Sequence, residues 1–169
     1  MFNLRDIAYL GIIDSTTRIY YDLNYSCEEP QNFFRYLDCP IGLYKDQVIL
    51  CEKRPTSDSV NVYLVCLLEK DSNEIFVKNA LVALMSVFDK IMKNGWSLER
   101  VQTKYDLFIF VMNEFVFNGI ILEDEENKLW ERLQKRTFES IGGIKVNRGL
   151  ASMLNKAAKS MKDSFTLKK

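Results

Sequence analysis

The 169 residues contain no histidine. That removes the usual general base near neutral pH and the commonest metal ligand, so Ser-His-Asp triads and mixed Cys/His zinc sites are excluded. Proline occurs only three times and glycine seven, too few for a collagen-like or low-complexity chain. Neither sign of charge is in excess, with 23 Lys plus Arg against 23 Asp plus Glu, so no global field favours nucleic acid. Cys27, Cys39, Cys51 and Cys66 lie at least twelve residues apart and form no CxxC pair; they read as buried thiols in a reducing compartment. Walker A, GxGxxG, GxSxG and HExxH sequences are all missing, and no constellation for catalysis or for a cofactor remains. Arg5-Asp6 breaks the N-terminal apolar stretch, which argues against a signal peptide. The sequon at Asn24-Tyr25-Ser26 is then unused, because such a chain does not enter the secretory lumen.

What is present is an ordinary globular composition, 47% apolar and 27% charged, in a length that builds one core without disulfides or metals. The most informative stretch is Asn73 to Lys93. On a helix of ~100° per residue its apolar positions, from Phe76 to Met92, fill about 200° of the circumference, twice what a surface helix needs. Glu74, Lys78, Asp89 and Lys90 exclude a membrane span. This is a helix covered on two sides, with a β-sheet beneath it and Leu84 and Phe88 buried.

Around it the chain alternates β-prone runs and turn formers. Ile7 to Ile13 is almost wholly apolar and is expected to lie centrally in the sheet; Arg18 to Tyr21 follows as its hairpin partner. Ser26 with Glu29 offers a capping box, with Pro30 in the first turn, for a short helix carrying Phe33, Phe34 and Leu37. Gln47 to Glu52 and Val60 to Leu68 read as a second hairpin, and Ile41 to Tyr44, ahead of Lys45-Asp46, as a short edge strand. Tyr105 to Phe117 has strand-like composition but helical length; Asn118-Gly119 after it reads as a left-handed helix C-cap. The acidic cluster Glu123 to Glu126 suits the N-terminus of a helix from Asn127 to Arg136. Gly142-Gly143 and Gly149 mark Thr137 to Gly149 as a linker. Beyond it Leu150, Met153, Leu154, Ala157, Ala158 and Met161 recur at helical spacing opposite Lys156, Lys159 and Lys162, a basic amphipathic helix that docks on its own domain, a partner or an anionic membrane.

Two strands, a helix, more antiparallel strands and then C-terminal helices is the order of the longin-like fold of vesicle-coat small chains. Asp71-Ser72-Asn73-Glu74 with Leu81-Val82 and Phe88-Asp89 resembles the central helix of coatomer zeta subunits. Ile12-Ile13-Asp14 and Tyr20-Tyr21-Asp22 resemble their first hairpin. Asn113-Glu114, then Asn118-Gly119 and Ile121-Leu122-Glu123, resemble the family's Asp-Glu, Gly-Gly and Ile-Leu-Glu block, with Asn113 for its acid and Asn118 for its first glycine. Sigma chains of clathrin adaptors share that block. Leu154, Ala157, Met161, Lys162 and Ser164 resemble a C-terminal helix that zeta chains carry and sigma chains lack.

The resemblance implies an α+β, longin-like (SNARE-like) domain: a five-stranded antiparallel sheet flanked by helices over 1–140, a linker over 141–149, and the amphipathic helix over 150–169. It implies a non-enzymatic subunit of the COPI coat without cofactor, metal or nucleic-acid partner. Such a subunit pairs with the coatomer gamma trunk and the rest of coatomer. It meets Arf GTPase indirectly and lies peripherally, from the cytoplasm, on Golgi and vesicle membranes. The alternatives are a clathrin-adaptor sigma chain and a longin-domain regulator of a small GTPase. Aromatic residues are the expected interface anchors. Phe117, where zeta chains are usually polar, and Trp130, behind the acidic cluster, are the candidates, each either a contact or core.

Overall fold

The structure is a computed structural model that describes residues 5–27, 29–136, 138–141 and 144–147, with side chains throughout except at Phe33 and residues 135–147. The chain divides into two compact units, Met1–Leu129 and Trp130–Lys169.

The first unit is built on five antiparallel strands, β1 (Ile7–Asp14), β2 (Ile19–Asn24), β3 (Ile41–Tyr44), β4 (Gln47–Pro55) and β5 (Asn61–Leu68), in the order β2-β1-β5-β4-β3. The middle strand is therefore β5, where β1 was expected. Both are continuous apolar runs buried on both faces, so local pattern marks each as internal and says nothing of which is central. Lys45-Asp46 takes the expected tight turn between β3 and β4, with both residues at positive φ, 48° and 64°, as a two-residue hairpin loop requires.

A 3-10 helix, Pro30–Tyr36, follows the first hairpin. The expected capping box does not form. Glu29 is the N-cap residue and caps with no side chain, while Ser26 Oγ donates instead to Glu69 Oε1 at 2.5 Å, 43 residues away. Phe34 and Leu37 still face inward, against Tyr9, Ile13, Tyr63, Val65 and Leu67 on one side of the sheet.

The other side of the sheet carries α1, Glu74–Ile91. Asn73 starts it: its side chain accepts the Phe76 N–H at 3.0 Å, satisfying a donor with no helical partner. Past its C-cap at Met92, Gly95 turns the chain with φ 91° and donates to the Met92 carbonyl at 2.7 Å. Val77, Ala80, Leu81, Leu84, Met85, Val87 and Phe88 are buried. The second cover comes from α3 (Tyr105–Phe115), which α2 (Leu98–Thr103) packs against in turn. The Phe108 ring of α3 lies 4.6 Å from that of Phe88 and 6.0 Å from that of Trp96. Each such ring removes enough apolar surface for ~1.5–3 kcal/mol.

A polar tie locks α1 to the sheet. Asp89 accepts Arg54 Nε at 3.0 Å, Arg54 Nη2 at 2.9 Å and Trp96 Nε1 at 2.8 Å, a bidentate guanidinium pair with an indole added. Lys78 and Glu52 make a second link at 2.5 Å.

The thiols are only partly as expected: Cys51 and Cys66 are buried, Cys27 is half-buried and Cys39 is exposed. Burial pushes the Cys51 thiol up to about 12 and Cys66 well above its ordinary value, so both stay protonated and inert.

The last of the described helices, α4, is Glu126–Arg136. In the second unit Phe138–Ile141 and Ile144–Asn147 pair antiparallel as β8 and β9, after β6 and β7 (Val116–Phe117 and Ile120–Ile121) of the first. The stretch expected to be a linker thus contains a hairpin: alternation at Ile144 and Val146 outweighs the glycine signal. The basic amphipathic helix expected over 150–169 lies outside the described residues.

Candidate partner-binding surface

The thirteen residues after Lys104, mostly apolar, resolve into two elements. Helix α3 ends at Phe115, and Val116, with φ −138° and ψ 138°, is already extended. Asn118 and Gly119 have φ 50° and 80°, the paired left-handed residues of a type I′ hairpin turn. They join β6 to β7, with Val116 opposite Ile121 and Phe117 opposite Ile120. The sequence reading of Asn118-Gly119 as a helix C-cap is corrected: both uses need positive φ, and the extended residues on either side decide between them.

The hairpin is seated on the start of β1. The Gly119 carbonyl accepts the N–H groups of Asp6 at 2.8 Å and Ile7 at 2.9 Å, and Asp6 Oδ2 accepts the Ile121 N–H at 3.2 Å. A Cβ on Gly119 would stand 2.6 Å from the Ile7 carbonyl oxygen, so only glycine fits. The Leu122 N–H donates to the Phe115 carbonyl at 2.8 Å and closes the base.

With the hairpin held this way, strand alternation sorts its side chains. Val116 is buried, while Phe117 is 62% exposed and Ile120 and Leu122 are exposed with it. Two-residue periodicity puts these three on one face. Phe117 is therefore a surface residue and not core. Trp130 is half-buried on α4; it belongs to the second compact unit. Ile120 and Leu122 were not singled out from sequence, although alternation across Asn-Gly would have paired them with Phe117.

Acidic side chains border the outgoing strand. Asp124 and Glu125 are exposed, whereas Glu123 is buried and accepts the Glu125 N–H at 3.3 Å. Lys128 lies 2.5 Å from Glu125, and Lys90 lies 2.6 Å from Glu126. These carboxylates sit at the start of α4, as a helix dipole favours. Among the described residues no group of His, Cys, Asp and Glu is placed to hold a metal ion. No described helix is long and apolar enough to cross a membrane. What the surface offers is an apolar knob on a pinned hairpin.

Comparison with known proteins agrees with the fold and the motifs. The family profile described as clathrin adaptor complex small chain matches residues 39–139. The coatomer subunit zeta of Encephalitozoon cuniculi is 32% identical over 165 residues, covering 94% of this chain and 96% of that protein. The coatomer subunit zeta of Saccharomyces cerevisiae is 29% identical over 98 residues, 58% of this chain and 49% of that one. A chain in a homology model of the full-length AP-3 complex in a stretched open conformation shares the fold, with a TM-score of 0.56 at 11% identity over 94% of this chain and 98% of its own. The chain belongs to the clathrin adaptor complex small chain family, as a divergent member of its coatomer zeta group.

Proposed function

We propose that this coat adaptor subunit pairs with the helical-solenoid trunk of a coatomer gamma subunit and, as a non-enzymatic part of COPI, serves Golgi-to-endoplasmic-reticulum and intra-Golgi transport. It reaches the Golgi surface from the cytoplasm through the complex and the Arf GTPase that recruits it. The observation that carries this reading is the exposed face of Phe117, Ile120 and Leu122 on a hairpin whose backbone is fixed by Gly119. A rigid apolar projection loses little entropy on binding, which is what an interface anchor needs. Trp130 is the second candidate, tested separately.

The test is coexpression with the cognate gamma trunk and, in parallel, with an adaptor large chain, followed by pull-down of wild type, Phe117→Ala and Trp130→Ala. Phe117→Ala costs at least ~2 kcal/mol, about thirtyfold in affinity, with the isolated fold intact. Capture by the adaptor chain alone would favour a sigma-type subunit and end the zeta reading. Unchanged capture of both variants by the gamma trunk would remove only the anchors.

A further inference from the structure

On the face of the sheet opposite α1, the 3-10 helix leaves a cleft of about 210 Å³ beside the β1–β2 turn. Its floor is apolar and buried, made by Phe34 and Leu37 from the helix segment and by Tyr63 from β5. Its rim is polar and exposed: Ser15 and Thr17 of the turn, Arg35 of the helix and Asp38 just beyond it. A cavity of ~150 Å³ accepts a benzene-sized apolar group, so one aliphatic side chain and a small polar group fit together.

Each rim group has hydrogen-bonding capacity to spare. Arg35 Nε donates to the Asn32 carbonyl at 3.1 Å, and the guanidinium carbon lies 5.5 Å from the centre of the Tyr36 ring. Among the described residues Arg35 makes no ion pair, which leaves both Nη groups to donate. Ser15 Oγ accepts the Asn61 N–H at 3.3 Å and keeps its own hydrogen. Thr17 is held at φ 67° by an N–H donated to the Asp14 carbonyl at 2.9 Å, a conformation unusual for a β-branched residue. Tyr63 at 2.7 Å and Lys53 at 3.0 Å both donate to Oδ1 of Asp38, so Oδ2 is left to accept.

We propose that this cleft receives the free C-terminal residue of another protein, an aliphatic one, with its carboxylate on Arg35 and the hydroxyls of Ser15 and Thr17 and its N–H on Asp38 Oδ2. The mixture of charges selects this ligand. A guanidinium holds a planar carboxylate through two parallel bonds, and capture of a chain end is a recurring mode of peptide recognition. A phosphate group would meet the Asp38 carboxylate with more negative charge and no N–H to offer it. An internal aspartate or glutamate brings the carboxylate without an aliphatic branch for the floor. Only a terminal valine, leucine or isoleucine supplies all three groups within one residue. The cleft is built from other elements than the Phe117 hairpin, and the inference does not rest on the proposed pairing with a gamma trunk.

The probes are fluorescein-labelled hexapeptides of glycine and serine ending in valine, leucine or isoleucine with a free carboxylate. Each has an amidated twin, a free-acid twin ending in lysine, and an amidated twin carrying phosphoserine. Anisotropy against the full chain is expected to show the free aliphatic ends binding at least tenfold tighter than every twin. Arg35→Gln weakens that binding at least tenfold, and Arg35→Lys, which keeps the charge without the planar fork, does not restore it. Arg35 is exposed, so unaltered circular dichroism accompanies the loss. Equal binding of acids and amides, binding indifferent to Arg35→Gln, or no saturable binding at about 1 mM peptide overturns the proposal. Tighter binding of the phosphoserine peptide would give the cleft to phosphate and refute the chain end. None of these outcomes bears on the Phe117 face, which gamma-trunk capture tests.

Discussion

Replacing Gly119 by alanine puts the seating of the hairpin to a quantitative test. Two costs coincide at this position. The backbone has φ 80°, and an L-residue in the left-handed region loses ~1–2 kcal/mol. The new Cβ also meets the Ile7 carbonyl oxygen at 2.6 Å, and a backbone atom inside a sheet has no alternative rotamer in which to retreat. Relief requires lifting the turn off β1, which stretches the bonds from Asp6 and Ile7 to the Gly119 carbonyl, each worth about 1 kcal/mol net. The expected loss is about 3 kcal/mol, the strain plus a large part of those two bonds.

Gly95 supplies the control. Its φ of 91° is as unfavourable for alanine, but a Cβ there has nothing within 4 Å. Gly95→Ala should therefore show the conformational cost alone, ~1–2 kcal/mol. Urea unfolding followed by circular dichroism reads both; with a slope of roughly 2 kcal/mol per molar, the Gly119 variant shifts its midpoint by about 1.5 M. Equal losses in the two variants would refute the seat.

Asp14 is buried in the β1–β2 turn. Burial alone would raise its carboxyl, but hydrogen bonds from Thr16, Arg18 and Tyr20 outweigh that and hold it below its ordinary 3.8. A depressed folded value contributes stability that is complete above the unfolded value and lost as pH falls through the folded one. The stability advantage of wild type over Asp14→Asn is thus expected to be full at pH 6 and to shrink below about pH 4; a gap independent of pH in urea titrations would contradict it. Asp89→Ala leaves the Arg54 guanidinium and the Trp96 indole N–H without their partner; a loss of about 1–2 kcal/mol is expected, with a changed near-ultraviolet tryptophan signal, and an unperturbed spectrum would show the tie to be dispensable.

The elements most legible in the sequence were those whose signals are local. The double-sided apolar arc of α1 and the apolar runs of β1 and β5 emerged as read. What failed depended on distant residues. Ser26 had the spacing of a capping box, yet its hydroxyl is taken by Glu69 across the fold. The central place went to β5 because pairing order is a property of the whole sheet, absent from any one strand's pattern. At Asn118-Gly119 helix C-cap and hairpin turn demand the same positive φ, and only the seat on β1 distinguishes them. Phe117 was visible as an apolar residue in a polar family position; Ile120 and Leu122 were hidden by the helical reading of what precedes them.

The residues that carried the family resemblance turn out to have structural tasks. Asp14 organises a turn, Asn73 caps α1, Phe88 fills the core, Asp89 holds Arg54 and Trp96, and Gly119 seats the hairpin. Matching such positions transmits a fold, and it leaves partner contacts unspecified. On the function proposed above, the contacts fall to positions the fold does not need, the exposed alternates of the same hairpin. This separation predicts opposite outcomes for two sets of variants. Changing Phe117, Ile120 and Leu122 together to serine removes exposed apolar surface, so the melting temperature stays within about 2 °C of wild type, as expected for surface substitutions, while gamma-trunk capture is lost. Asn73→Ala removes a cap worth ~1 kcal/mol and lowers the melting temperature without altering capture at low temperature. Thermal unfolding and pull-down on the same preparations measure both. A triple-serine variant that melts far below wild type would show that the hairpin face is core in solution, and the anchor reading would fall with it.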